Sequence, residues 1–83
     1  MESELKKAVN FFNKGKLSSA KEIALRIYHS KPDHFDNLRL LNFICFKKKD
    51  FSSALDFINR AIKINPNFAE AYNEQGNALN ELK

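Results

Sequence analysis

An internal repeat constrains the fold of this chain more than any other feature of its sequence. When the sequence is shifted by thirty-four residues, KLSSAKEIALRIYHSKP at 16–32 aligns with DFSSALDFINRAIKINP at 50–66. Five of these seventeen positions are identical, and most of the apolar positions coincide. A fixed period of this length is typical of stacked-repeat proteins, in which each short unit packs on its neighbours. Since 83 residues form only a small core, a regular stack is the architecture that we expect.

Each copy of the repeat has the apolar spacing of two helices. In the first copy, apolar residues recur at intervals of three and four over 5–12 and again over 20–27, which predicts a helical hairpin. Gly15 lies between the two stripes, where a residue in the left-handed conformation ends a helix. A proline follows the second stripe, at a position where that helix must already have ended. By the same reasoning, the second copy is predicted to form helices near 35–48 and 52–64.

Further local signals support a helical chain. Ser19 and Glu22 are three residues apart at the predicted start of the second helix, and they fit a capping box. The closing stretch NPNFAEAYNEQGNALNELK at 65–83 has the pattern of one more helix, so five helices are predicted. The chain has only two Gly and two Pro, which is too little turn chemistry for an all-β fold.

The composition also excludes several classes of protein. Apolar residues make up 43% and charged residues 29% of the chain, as in folded globular proteins. A single cysteine, Cys45, cannot form an internal disulfide, and its place on an apolar stripe predicts a buried structural thiol. The N-terminus lacks the apolar region of a signal peptide, and the most apolar run, LRLLNFICF, is too short to cross a bilayer. We therefore expect a cytoplasmic protein without a membrane span.

Groups that could carry chemistry do not converge in the sequence. His29 and His34 have no cysteine or paired carboxylates at ligand spacing, so no metal, cofactor or catalytic residue is predicted. The lysine run at 47–49 lies where a helix ends and would interact well with the helix dipole. The alternative is a phosphate-contacting patch shared with Lys14 and Lys16, but it lacks interleaved exposed aromatics and any nucleic-acid motif. This argues against nucleic acid as a partner.

These features together resemble an array of tetratricopeptide repeats. The family's pattern has a bulky residue, Leu-Gly, an aromatic, a helix-ending Gly, a small residue in the second helix, further apolar residues and a Pro. The matching positions of the second copy are Leu38, Leu41, Asn42, Cys45, Phe51, Ala54, Ile58, Ala61 and Pro66. Those of the first copy are Ala8, Phe11, Gly15, Leu17, Ala20, Ala24, Ile27 and Pro32, and the closing stretch supplies Tyr72, Gln75, Gly76 and Leu79.

The resemblance covers essentially the whole chain and implies an all-α fold. The expected architecture is a right-handed α-solenoid of five helices in antiparallel pairs, with Ala20 and Ala54 buried at close helix contacts. Repeat 1 is predicted at 1–34, repeat 2 at 35–68, and a half repeat or capping helix at 69–83, all in a single domain. The apolar outer face of the last helix favours the N-terminal part of a longer array over a closed cap.

Two positions depart from the family's pattern. Asn42 stands where a small residue usually lets two helices approach each other, which puts an amide near the core. We expect that amide to be hydrogen-bonded or in contact with water. Lys49 stands where the helix-ending Gly is usual, and it is unfavourable if that residue must adopt the left-handed conformation.

The resemblance also implies a function, because the first helices of successive repeats in this family line a concave groove that holds extended or helical peptides. A protein-protein interaction scaffold without catalytic activity is therefore expected, with basic side chains of the partner near Glu70, Glu74 and Glu81. The groove positions are Leu5, Val9, Phe12 and Asn13 from the first helix, Arg39, Leu40, Phe43, Phe46 and Lys47 from the third, and Asn73, Glu74, Asn77 and Glu81 from the fifth. The middle helix is apolar around most of its circumference, so some of its phenylalanines are expected to face a partner rather than the core.

Other functions within the family remain open or are disfavoured at this point. One alternative is a self-associating structural module, in which Tyr72 and Leu79 form a homodimer contact through the last helix. Another is the N-terminal arm of a larger enzyme, since similar arrays precede glycosyltransferase or sulfotransferase domains. The carboxylate clamp of the chaperone-binding members is missing, which argues against an acidic chaperone tail as the ligand. The residues at the clamp positions are Leu5, Val9, Leu40, Glu70 and Glu74.

Overall fold

The computed structural model describes residues 2–83, which form five α-helices and no strand. The helices are α1 (Glu2–Asn13), α2 (Leu17–Ser30), α3 (Phe35–Lys47), α4 (Phe51–Ile64) and α5 (Ala69–Leu82). The prediction of an all-α chain with five helices is therefore confirmed. In the second copy the predicted and observed helix ends differ by one residue at most.

The connections inside the two helix pairs have the same hydrogen bonds. The N–H of Lys16 donates to the Phe11 carbonyl at 2.8 Å, and the N–H of Asp50, thirty-four residues later, donates to the Cys45 carbonyl at 2.9 Å. Each connection contains one residue in the left-handed conformation. That residue is Gly15 with a φ of 79° in the first pair and Lys49 with a φ of 65° in the second. Lys49 bears a steric cost that glycine avoids.

The predicted capping box at Ser19 is wrong. Helix α2 begins at Leu17, so Ser19 lies inside the first turn, and Lys16 at the cap position makes no side-chain cap bond. In the second pair the cap is Asp50, whose carboxylate accepts from the backbone N–H of Ser53 at 3.3 Å. Helices α2 and α4 begin at Leu17 and Phe51, each two residues before the serine, Ser19 or Ser53, that marked the predicted start.

The helices form a stack with α3 at its centre. Each helix contacts the next along the chain, and α3 also contacts α1 and α5. One core cluster lies among α1, α2 and α3, and a second joins Leu38 of α3 to α4 and α5. Helix α3 is therefore buried on two faces, which accounts for much of its apolar circumference. Ala20 and Ala54 are fully buried, as predicted for close helix contacts.

Two asparagines lie in the interior of α3. Asn37, which the sequence analysis did not single out, donates from Nδ2 to the Ala24 carbonyl at 2.9 Å and so ties α3 to α2. Asn42 is 2% exposed, and its Oδ1 is buried without a hydrogen-bond partner among the described residues. The expectation that this amide is hydrogen-bonded or in contact with water stays a prediction.

Candidate functional site

A concavity of about 270 Å³ lies between α1 and α3. Val9 and Phe12 contribute to it from α1, one helical turn apart, and Leu40 and Phe43 contribute from α3 with the same spacing. The Phe12 and Phe43 ring centroids are 6.3 Å apart and tilted. Polar atoms reach the rim from three further side chains, those of Asn13, Asp36 and Arg39.

The residues of this concavity differ in depth. Val9 is 37% exposed, and Phe12 and Phe43 are half-buried, so part of each apolar surface is open to a ligand. Leu40 is 6% exposed and belongs to the core cluster of α1, α2 and α3, so it forms the floor instead of projecting outward. The result is an apolar depression with a polar rim.

A second, smaller cleft of about 60 Å³ lies between α3 and α5. Its apolar walls are Phe43 and Phe46, and Phe43 also borders the larger concavity. Its polar groups are Glu74 and Asn77 from α5 and the buried Asn42 from α3. Phe43 thus stands between two adjacent depressions on one face of the stack.

Arg39 and Glu74 join α3 to α5 beside these depressions. Arg39 Nε donates to Glu74 Oε1 at 3.1 Å, and a second guanidinium nitrogen donates to Oε2, which makes the pair bidentate. The guanidinium also lies 4.6 Å from the centroid of the Phe68 ring and 5.4 Å from that of Phe43. The hydrogen bond to Glu74 raises the pKa of Arg39, against the opposing effect of burial, so the arginine is always charged.

This pair changes the expected electrostatics of the groove. Glu74 was expected to be available to basic side chains of a partner, but its carboxylate already pairs with Arg39. Glu70 and Glu81 are exposed and remain open to solvent. The signal for the pair was present in the sequence, because residue 74 lies one repeat plus one residue beyond 39 and carries the opposite charge.

The other predicted groove residues do not all reach the two depressions. Leu5 packs against the core cluster of the first three helices. Phe46 borders the small cleft and stacks edge-on against Phe51, with ring centroids 5.1 Å apart. Asn77 also borders the small cleft, whereas Asn73 is exposed and lines neither depression.

The outer face of α5 carries exposed apolar side chains. Tyr72 is 44% exposed and Leu79 45%, and the Tyr72 hydroxyl donates to the Pro66 carbonyl at 2.8 Å. Between them, a Cβ built on Gly76 would meet no atom within 4 Å. Their counterparts thirty-four residues earlier are Leu38, Asn42 and Cys45. All three of those residues are buried in the stack, whereas the stripe on α5 is open.

The remaining groups considered in the sequence are Cys45, the lysine run at 47–49 and potential metal ligands. Cys45 is fully buried, as predicted, and burial raises the pKa of its thiol. Lys48 Nζ donates to Ser18 Oγ at 3.4 Å, so the basic turn after α3 meets the start of α2. Among residues 2–83, no three His, Cys, Asp or Glu side chains are arranged to hold a metal ion. Over the same residues, each helix is too short or too polar to cross a membrane.

Comparison with known proteins gives one informative similarity. No protein-family model matches the chain. The chain is 31% identical over 70 residues to the UDP-N-acetylglucosamine--peptide N-acetylglucosaminyltransferase of Caenorhabditis elegans. The aligned region covers 84% of this chain and 6% of the length of that relative. This similarity and the five-helix architecture are consistent with a tetratricopeptide-like helical repeat.

Proposed function

We propose that this chain is a tetratricopeptide-type module that holds a peptide segment of a partner protein in the concavity between α1 and α3, with no catalytic activity of its own. The observation that carries the proposal is the apolar depression formed by Val9, Phe12, Leu40 and Phe43. Partly exposed aromatic side chains in a depression are typical of the anchor sites that dominate protein-peptide affinity.

Helix pairing of the tetratricopeptide kind is part of this proposal. Glu4 near the start of α1 lies 3.6 Å from Arg26 near the end of α2, as expected if the two helices run in opposite directions. Lys48 at the end of α3 meets Ser18 at the start of α2, which fits the same alternation. With a right-handed superhelix, this order places α1, α3 and α5 side by side on the concave face.

The size of the concavity suits side chains of a peptide. Its volume of about 270 Å³ lies just below the range typical of pockets that enclose a whole small molecule. An extended or helical segment needs only to insert one or two apolar anchors there, while its backbone stays at the rim. Asn13 and Asp36 at that rim provide hydrogen-bonding groups for the backbone or for a basic side chain.

The similarity to the nematode transferase favours a particular setting for this groove. The name of that relative describes an enzyme that acts on a peptide. We propose as a second candidate that this chain belongs to the peptide-binding arm of a glycosyltransferase-type protein, in which the groove holds the polypeptide to be modified. The transferase chemistry would then reside outside the residues described here.

Peptide selection against the wild-type chain tests the groove. A phage-displayed library of random dodecapeptides is panned on the protein, and selected peptides are synthesised with a fluorophore for anisotropy titration. Phe43→Ala is expected to weaken binding by at least about fivefold, because an anchor contact contributes more than about 1 kcal/mol. Circular dichroism of each variant verifies that its helices and melting temperature are retained.

A matched pair of aliphatic substitutions separates the groove from general surface effects. Val9 is 37% exposed in the concavity, and Ile64 is 42% exposed at the end of α4, outside it. Val9→Ala is expected to weaken peptide binding, and Ile64→Ala is expected to leave it unchanged. If neither Val9→Ala nor Phe43→Ala changes peptide binding, the site does not lie on this face.

The open stripe on α5 favours self-association as the competing function. Tyr72 and Leu79 lie on either side of Gly76, so an antiparallel copy of α5 crossing at the glycine would set Tyr72 against Leu79 of the second molecule. Sedimentation over a wide concentration range would show a dimer, and Leu79→Glu would return it to monomer. Asn80→Glu, with the same change of charge on the next residue, is the control. A monomer at every concentration excludes this function.

A further inference from the structure

The small cleft between α3 and α5 contains a buried polar group that the fold itself does not satisfy. Asn42 is 2% exposed, lies at the wall of the cleft, and has an Oδ1 without a partner among the described residues. A buried amide oxygen without a donor destabilises the fold relative to one that is hydrogen-bonded. Residues that cost stability in this way are frequent at functional sites.

The groups around the cleft define what it can bind. Besides the Asn42 amide, Asn77 offers a second amide with donors and an acceptor, and the Glu74 oxygens retain acceptor capacity beyond their bonds to Arg39. Phe43 and Phe46 provide two apolar walls, against which a flat group can pack. A ligand group that fits should therefore be planar and carry both a donor and an acceptor.

The charge and the size of the cleft further restrict the ligand groups that it can bind. The Glu74 carboxylate is paired with the Arg39 guanidinium, so the cleft has little net negative charge to attract a lysine or an arginine. Its volume of about 60 Å³ is enough for one small polar group but not for a peptide backbone.

A primary carboxamide meets each of these conditions. It is planar and uncharged, and it presents two N–H donors and a carbonyl acceptor. Oδ1 is buried in the observed orientation of Asn42 and holds no hydrogen bond, so the side chain can turn about its Cβ–Cγ bond and bring this oxygen to the cleft, where a carboxamide N–H donates to it. Neither a carboxylate nor an alkyl group could satisfy the unpaired oxygen.

We infer that the cleft lined by Asn42, Asn77 and Glu74 receives the side-chain carboxamide of an Asn or Gln residue of the bound peptide. This inference rests on the proposed function, since the same peptide would place an apolar anchor in the neighbouring concavity across Phe43. The apolar anchor supplies affinity, and the carboxamide fixes the register of the peptide in the groove.

Parallel selections test this specificity. The random dodecapeptide library is panned on wild type, on Asn42→Ala, and on Asn80→Ala as a control on the exposed side of α5. Asn or Gln is expected to be enriched at one fixed spacing from an apolar residue with wild type and with Asn80→Ala, and this enrichment should disappear with Asn42→Ala. Asn42→Ala removes an unpaired buried group, so it is expected to fold at least as stably as wild type.

Affinities of one selected peptide then give the decisive comparison. Replacing its Gln by Leu, or Asn42 by Ala, is expected to weaken binding by about tenfold, and combining both changes should weaken it little further. Equal binding by Asn42→Ala, with Phe43→Ala still impaired, would mean that the cleft holds only water and would overturn the inference while the peptide groove stands. A library that yields no Phe43-dependent binder would overturn the proposed function and this inference together.

Discussion

Removing the ion pair between α3 and α5 should loosen the last helix from the stack. The perturbations are Arg39→Met, which keeps an unbranched side chain but removes the guanidinium that lies over Phe68 and Phe43, and Glu74→Gln, which keeps the shape of the glutamate. Their side chains are 20% and 12% exposed, so the pair lies between a surface salt bridge and a fully buried one. Exposed pairs contribute about 0.2–1 kcal/mol, whereas breaking a buried pair costs about 3–5 kcal/mol.

The expected magnitude follows from this intermediate burial and the bidentate geometry. Arg39→Met leaves a mostly buried carboxylate without its partner and is expected to lower the free energy of unfolding by about 2 kcal/mol. Glu74→Gln should cost about 1–2 kcal/mol, because the amide retains one acceptor oxygen. The double variant should cost less than the sum, which gives a coupling free energy of about 1–2 kcal/mol in a double-mutant cycle.

Urea unfolding followed by far-ultraviolet circular dichroism measures these differences. For a small protein with an m-value of about 1 kcal/mol/M, a loss of 2 kcal/mol moves the midpoint by about 2 M. Glu4 and Arg26 form a matched control, since they lie 3.6 Å apart with side chains 42% and 61% exposed. The coupling there is expected to stay below about 0.5 kcal/mol. Additive effects of Arg39→Met and Glu74→Gln would refute the reasoning, because they would show that the pair does not tie α5 to α3.

Four further substitutions test the packing, the helix connections and the cap of α4. Ala54→Leu should destabilise the chain by about 1–3 kcal/mol, because Ala54 is fully buried between helices; an unchanged melting temperature would contradict that placement. Lys49→Gly should stabilise by about 0.5 kcal/mol, since it relieves a left-handed residue at some entropic cost, and Gly15→Ala should destabilise by about 1 kcal/mol; urea midpoints measure both. Hydrogen bonds from the side chain and backbone of Ser53 lower the pKa of Asp50, so its contribution is present above the ordinary aspartate pKa and is lost as the pH falls through the lowered value. Asp50→Ala should therefore cost about 0.5–1 kcal/mol at neutral pH and nothing in strong acid, and an equal cost at both pH values would exclude a charged cap.

The local structure of this chain was readable from its sequence because it depends on neighbours along the chain. Apolar spacing of three and four predicted the helices, and Gly15 between two apolar stripes predicted the left-handed residue of the first connection. The capping box at Ser19 failed because a cap depends on which residue starts the helix, and α2 starts at Leu17, two residues before Ser19.

Only the tertiary structure decided how the groups of the candidate site meet. The resemblance to the repeat family placed Leu40 at a groove-facing position, but packing of α3 against two neighbours made it the floor of the concavity. The ion pair between Arg39 and Glu74 joins α3 to α5. The buried Oδ1 of Asn42 has no hydrogen-bond partner among the described residues. The geometry of these groups depends on how each helix is rotated and how far apart the helices lie. Rotation and spacing result from many small packing contacts, which no short stretch of sequence specifies.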